Sequence, residues 1–304
     1  MNVEFFIEAI AKIVLVLLIN LTTVAYLVLV ERKVSAFIQM RIGPNRVGPW
    51  GLLQPVADIG KLFFKEDIVP AAANKFVHTL APLISLTVAL STFAVVPFGN
   101  VLTLNGHDYK LMIGDVNIGI LYILAMTSLG IYGITLSGWS SNNKYSLLGG
   151  LRASAQMISY ELSMGLSVIG VVMIAGSLRL DEIVMKQGTY LFGFLPAWNI
   201  VLQPVGFVTF LVASFAETNR LPFDLPEAEP ELVGGYHTEY SGMKFGLFFL
   251  AEYANMITAA AVITTLYLGG WQFPFIEHLR FPPLAMTLLQ MGAFAIKVAL
   301  MLFF

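Results

Sequence analysis

Residues 5–30 read FFIEAIAKIVLVLLINLTTVAYLVLV, with Glu8 and Lys12 as their only charges. About 20 apolar residues suffice to cross the ~30 Å hydrocarbon core of a bilayer. Unpaired backbone groups are too costly in hydrocarbon for an open strand, so such a run must be helical. The leading MNVEFFIEAI has two glutamates and no basic region, so the run reads as a retained span and not a cleaved signal peptide. Six further apolar segments lie at 77–98, 117–138, 154–176, 199–216, 244–268 and 283–304. The expected fold is an all-α polytopic membrane protein, with seven transmembrane helices in a single membrane domain over residues 1–304.

The composition agrees. Apolar residues make up 57% of the chain and charged residues 12%, about half the usual share of soluble proteins, and mean hydropathy is +0.78. A net charge of -2 gives no electrostatic case for nucleic acid. With no cysteine, the chain can hold neither a disulfide nor a cysteine-ligated iron–sulfur cluster.

Lys and Arg set the expected orientation. The loops after spans one, three and five hold 7, 2 and 2, with Lys244 counted in the last; the loops after spans two, four and six hold 1, 2 and 1. The positive-inside rule then places the odd loops in the cytoplasm and the N-terminus outside. The first of them, 31–76, is a basic loop. Its segment GLLQPVADIGKLFFKE spaces Leu52, Leu53, Val56, Ile59, Leu62 and Phe63 at helical intervals, with Asp58, Lys61 and Lys65 between them. That predicts an amphipathic helix in the membrane interface. The preceding RIGPNRVGPWG is rich in glycine and proline and reads as a turn-rich loop.

Charges inside apolar runs are the first candidates for chemistry: Glu161 about two turns into span four, Glu252 in span six and Lys297 in span seven. Each costs at least about 2.5–3.5 kcal/mol on insertion scales, and such residues usually mark an ion or proton path; the alternative is a polar clamp between helices, or snorkelling for Lys297. Glu31, beside Arg32 and Lys33, adds nothing to positive-inside anchoring, and Arg41 and Arg46 nearby could hold it ionised or orient a polar ligand head.

The acidic loop 217–243 opens with ETNRLPFDLPEAEPEL at 217–232, which gathers Glu217, Asp224, Glu227, Glu229 and Glu231; Glu239 follows. Pro222, Pro226 and Pro230 predict an extended segment. Glu227, Glu229 and Glu231 would then share one face, titrate as a coupled set and exchange protons near neutral pH. The alternative is a solvated acidic surface. His78, His107, His237 and His278 lie too far apart for metal or haem ligation, and no phosphate loop or GxGxxG motif is present.

Three long stretches resemble one family. ERKVSAFIQMRIGPNRVGPWGLLQPVADIGKLFFKED, SGWSSNNKYSLLGGLRASAQMISYEL and FAETNRLPFDLPEAEPELVGGYHTEYSGMKFGLFFLAEYANM look like the three cytoplasmic loops, with flanking helices, of the H-subunit family of proton-pumping NADH:quinone oxidoreductase, respiratory complex I. The likeness runs from about Glu31 to the end. It implies a chain at the junction of membrane and peripheral arms that walls a quinone chamber and starts a hydrophilic axis along the membrane. It implies no cofactor bound by this chain: quinone is the substrate, and flavin and iron–sulfur clusters belong to partner subunits.

The implied partners are the quinone-pocket and terminal iron–sulfur subunits of the peripheral arm, small adjacent membrane subunits and the lipid bilayer. The implied location is the bacterial inner membrane, or the mitochondrial inner membrane for an organellar protein. The family's chamber residues fall on Glu31, Arg32, Arg41, Arg46, Asp58 and Lys61, and its coupling carboxylates on Glu161, Glu217, Glu227, Glu229, Glu231, Glu239 and Glu252, with Asp224 in the same stretch. Family members have eight spans, against seven marked here. The alternatives are a membrane-bound hydrogenase component of the same ancestry and a stand-alone proton-coupled transporter.

Overall fold

The computed structural model describes residues 3–104, 107–274 and 281–304; His278 lies outside them. Helix α1 spans Val3–Ile38, α2 Gln54–Phe64, α3 Lys75–Thr92, α4 Gly119–Ser140, α5 Lys144–Ala175 and α6 Leu180–Lys186. Then come α7 at Asn199–Leu202, α8 at Pro204–Glu217, α9 at Glu229–Leu232, α10 at Gly242–Tyr267 and α11 at Pro283–Phe303. Among the described residues, six helices are long and apolar enough to cross a membrane: Phe6–Ile38, Lys75–Val95, Gly119–Ser140, Lys144–Ala175, Gly242–Tyr267 and Pro283–Phe303.

The fifth apolar segment differs from the others. It is divided into the single turn α7 and the 14-residue α8, because Pro204 lacks an N–H and begins a new helix after Gln203. At 1.5 Å per residue α8 is about 21 Å long, short of a full crossing. Two antiparallel hairpins correct the all-helical expectation in a small way. One pairs β1 (Val101–Leu104) with β2 (His107–Lys110); the other pairs β3 (Tyr190–Leu191) with β4 (Leu195–Pro196).

Local chemistry explains where several helices start and stop. Asn74 and Asn143 accept hydrogen bonds from the backbone N–H of Val77 and Tyr145, capping α3 and α5. Gly176, at φ 62°, ends α5 in a left-handed turn. Because α5 begins at its cap, it starts ten residues before the segment at 154 marked by hydropathy, and Glu161 lies mid-helix instead of two turns in. Helix α1 likewise runs on through Glu31–Lys33. Its 36 residues measure about 54 Å, far beyond the hydrocarbon thickness.

Helix α10 is the axis of the bundle. In its most apolar stretch 56% of residues are buried within the chain, against 17–39% for the other five long helices, whose remaining faces are not covered by this chain. Its second half packs with Val171, Ile183, Val184, Phe210 and Trp271 into the largest apolar core. Near the opposite end, α4, α5 and the turn 235–237 meet through small residues. A Cβ on Gly149 would fall 2.5 Å from Gly235 Cα. Gly149→Ala is therefore expected to displace this turn and cost about 1–3 kcal/mol, read as earlier thermal unfolding of the purified complex.

Candidate functional site

The loops that join the helices at one end carry most of the charges marked in the sequence. The stretch 217–232 is not extended. Leu225–Glu227 forms a 3-10 turn and Glu229–Leu232 a turn of α-helix, with Pro226 and Pro230 inside their first turns. Proline is favoured there, since the N–H it lacks would be unpaired anyway. Alternation of Glu227, Glu229 and Glu231 on one face is thereby lost. Glu227 is partly buried, whereas Glu231 is exposed and pairs with Arg152 at 2.7 Å. The Glu229 side chain lies outside the described residues.

At the centre is Arg220, which is not among the residues expected from the sequence. Its Nη1 is 3.0 Å from Glu31 Oε1 on α1, and its Nε is 3.0 Å from Glu252 Oε1 on α10. Its guanidinium lies 4.6 Å from the centre of the Tyr253 ring, and Tyr253 Oη donates to Glu31 Oε2 at 2.5 Å. Two carboxylates, a cation and a phenol thus join three segments distant in sequence. One signal does mark it: Arg220 is the one cation among the sixteen residues of the acidic stretch.

Behind this cluster the polar lining continues inward. Glu252, Asn255, Tyr236, Asn219 and Glu217 line a small cavity of about 40 Å³. Glu217, Thr127, Asn255 and Thr258 line a second of about 30 Å³. Glu217, Thr218, Thr127 and Asn255 border both, so the two cavities are neighbours. Glu161, mid-way along α5, accepts a hydrogen bond from Ser128 of α4. Glu227 accepts from Asn219 Nδ2 at 3.3 Å and from Tyr236. Burial pushes its carboxyl above the ordinary range, while those two donors and the Arg220 charge pull it down. Burial holds the His237 imidazole near 4, so it is neutral at ordinary pH.

Other marked residues lie apart from the cluster. Asp58 of α2 accepts from Arg32 at 2.8 Å and from Gln54 at 2.8 Å, and lies 3.8 Å from Lys61, which ties α2 to α1. Arg41 donates to Gln39 and is exposed, as is Arg46. Asp224 is partly buried beside the 3-10 turn, and Glu239 accepts from Asn143 at 2.5 Å. Lys297 donates to the carbonyls of Leu268, Gly270 and Gln272 and sits 4.3 Å from the Trp198 ring centre. It is therefore a polar clamp, at the far end of α10.

A groove of about 820 Å³ runs along α1 and reaches the cluster. Leu18, Thr22, Tyr26, Met256 and Leu302 line its length, with Glu31 and Arg220 among its polar lining. Its walls are α1, Met256 of α10, Phe215 of α8 with the turn at Arg220 and Leu221, and the end of α11; no residue of α2 lines it.

Comparison with known proteins gives the chain's family. A family described as NADH dehydrogenase matches residues 11–304. An H-type subunit of NADH-quinone oxidoreductase from Cytophaga hutchinsonii is 50% identical over 301 residues, covering 99% of this chain and 86% of the relative. NADH-quinone oxidoreductase subunit 8 of Rhodothermus marinus is 58% identical over 263 residues, 85% of this chain and 73% of the relative. The H-type subunit of the same enzyme from Salinibacter ruber is 53% identical over 285 residues, covering 92% and 79%.

Proposed function

Since the chain belongs to the NADH dehydrogenase family, as a membrane subunit of NADH-quinone oxidoreductase, we propose that it walls the membrane side of the quinone chamber and couples quinone reduction to proton movement through its carboxylates. The observation that carries this reading is the groove along α1, apolar over its length and bordered by Glu31 and Arg220. A quinone has the same polarity, with an apolar tail and a polar head.

Quinone reduction consumes two electrons and two protons, and so changes the charge beside Arg220. Arg220 is shared by Glu31 and Glu252. A change of charge at the quinone head would shift the cation between Glu31 and Glu252 and alter the field at Glu227 and Glu217. A charge is felt strongly over such distances where water is scarce. Glu217 and Glu161 would then pass the change toward the membrane interior. Electrons come from clusters held by partner subunits.

The same reading orients the chain. Helices α7 and α8 together make a seventh crossing, with the N-terminus outside and the loops 31–76 and 217–243 in the cytoplasm of a bacterial cell. Helix α2 lies in the interface, its Val56, Ile59 and Phe63 exposed for lipid. The quinone-pocket and terminal iron–sulfur subunits would cover the cytoplasmic end of α1, where Phe37 and Met40 are 83% and 97% exposed, too apolar a surface to be left in water.

The groove is tested with Thr22→Trp in the intact complex. The indole should raise KM for a long-tailed quinone about tenfold, the equivalent of ~1.4 kcal/mol, and leave a short-tailed analogue unaffected. Equal kinetics with both quinones would remove the groove from the tail's path.

A further inference from the structure

Gln156 has no part in the chemistry described so far. It lies on α5, ahead of Glu161. Its Nε2 donates to Ala216 O at 2.9 Å and Phe223 O at 2.8 Å, and lies 3.2 Å from Asn219 Oδ1. Backbone carbonyls only accept, so the amide nitrogen must face them and the orientation of the side chain is fixed. The three acceptors span the chain reversal 216–223, which carries both Glu217 and Arg220.

Asn219 sits inside that reversal, buried and at φ 49°. This is a left-handed backbone that asparagine tolerates better than most residues. With its Oδ1 turned to Gln156, its Nδ2 points to Glu227 Oε1 at 3.3 Å. An amide relay therefore connects α5 to Glu227. Around that carboxylate also stand the Tyr236 hydroxyl, Arg220, Asp224 and, from α10, Glu252.

We propose that Gln156 is a positioning residue: it holds the 216–223 reversal so that Asn219 donates to Glu227 and Arg220 stays between Glu31 and Glu252. The proposal rests on the coupling role given to these carboxylates above. Gln156 borders neither the groove nor the two internal cavities. Its loss should therefore act through Glu227 and Arg220: chiefly on turnover and its pH dependence, and on quinone affinity only as far as Arg220 shifts in the groove.

The test uses the intact complex carrying Gln156→Leu, Gln156→Glu or Glu227→Gln, with turnover, quinone KM and proton translocation measured across pH. Gln156→Leu should lower kcat about tenfold, more than it raises KM, the effect of losing about one hydrogen bond's worth of positioning. It should also move the limb of the pH profile set by Glu227 to higher pH, because a carboxylate that loses a donor is more easily protonated. Gln156→Glu keeps the shape but donates only when protonated, so its turnover should recover as pH falls while that of Gln156→Leu does not.

If Gln156→Leu keeps the wild-type pH profile while Glu227→Gln uncouples the enzyme, the positioning role fails and the coupling reading stands. If Glu227→Gln pumps normally, the coupling reading itself fails at this residue and the relay has no target. If neither Gln156 variant assembles at any pH, the side chain serves the fold alone and the proposal is overturned.

Discussion

Arg220→Met should sharply lower quinone reduction by the assembled complex. The substitution strips the shared cation from Glu31 and Glu252, and removes the charge stacked on Tyr253. Deleting one member of a buried ion pair costs about 3–5 kcal/mol, because the charge left behind has lost its compensation. Arg220 and Glu252 keep only 23% and 17% of their side-chain surface, whereas Glu31 keeps 43%, so the low end of that range applies. Turnover falls for a separate reason, because the groove loses its cation: a charge-assisted contact worth about 1.5–3 kcal/mol in the reacting state corresponds to a loss of roughly ten- to a hundredfold. Native electrophoresis separates this from failed assembly. The double substitution Arg220→Met with Glu252→Gln removes the more buried of the two stranded charges, and should restore assembly without restoring turnover. Arg220→Met at wild-type turnover would exclude the cluster from the reaction.

Replacing Glu217 or Glu161 with glutamine should uncouple the enzyme. Glutamine keeps the shape and the hydrogen bonds of a carboxyl but binds no exchangeable proton at neutral pH. Glu217 borders both internal cavities, and Glu161 is held by Ser128. A positioned proton-transfer group contributes about 10²–10⁴-fold to its step, so proton transfer through either site should slow by at least about a hundredfold. In reconstituted vesicles this reads as a lowered proton-to-electron ratio. An unchanged ratio in both variants would remove these carboxylates from the path.

How far the sequence reveals this differs from element to element. Helices α1, α3, α4, α10 and α11 follow from runs of apolar residues, because hydrocarbon leaves the backbone no other form. The first turns of α5 are hidden from hydropathy. Lys144–Ala153 is polar and glycine-rich because Ser146 and Gly149 face the turn at Gly235–His237 and not lipid. The extended reading of 217–232 fails because prolines that forbid a helix interior are welcome in its first turn. Glu161 and Glu252 stand out as charges in apolar surroundings, and Glu31 as an acid that adds nothing to positive-inside anchoring. Arg220 does not, since what distinguishes it is the convergence of α1 and α10 from more than two hundred residues apart, which no local pattern records. The separation of Arg41, Arg46 and Glu231 from the cluster is equally illegible, since exposure is settled only by packing.

The most direct measurement is a redox-induced infrared difference spectrum of the complex, taken as bound quinone is reduced, for the wild type and for Glu217→Gln. Protonation linked to the electron acceptor predicts a carboxyl C=O band that appears on reduction and is weakened or lost in the variant. A wild-type spectrum with no carboxyl change, or a band untouched by Glu217→Gln and equally by Glu161→Gln and Glu227→Gln, would contradict it.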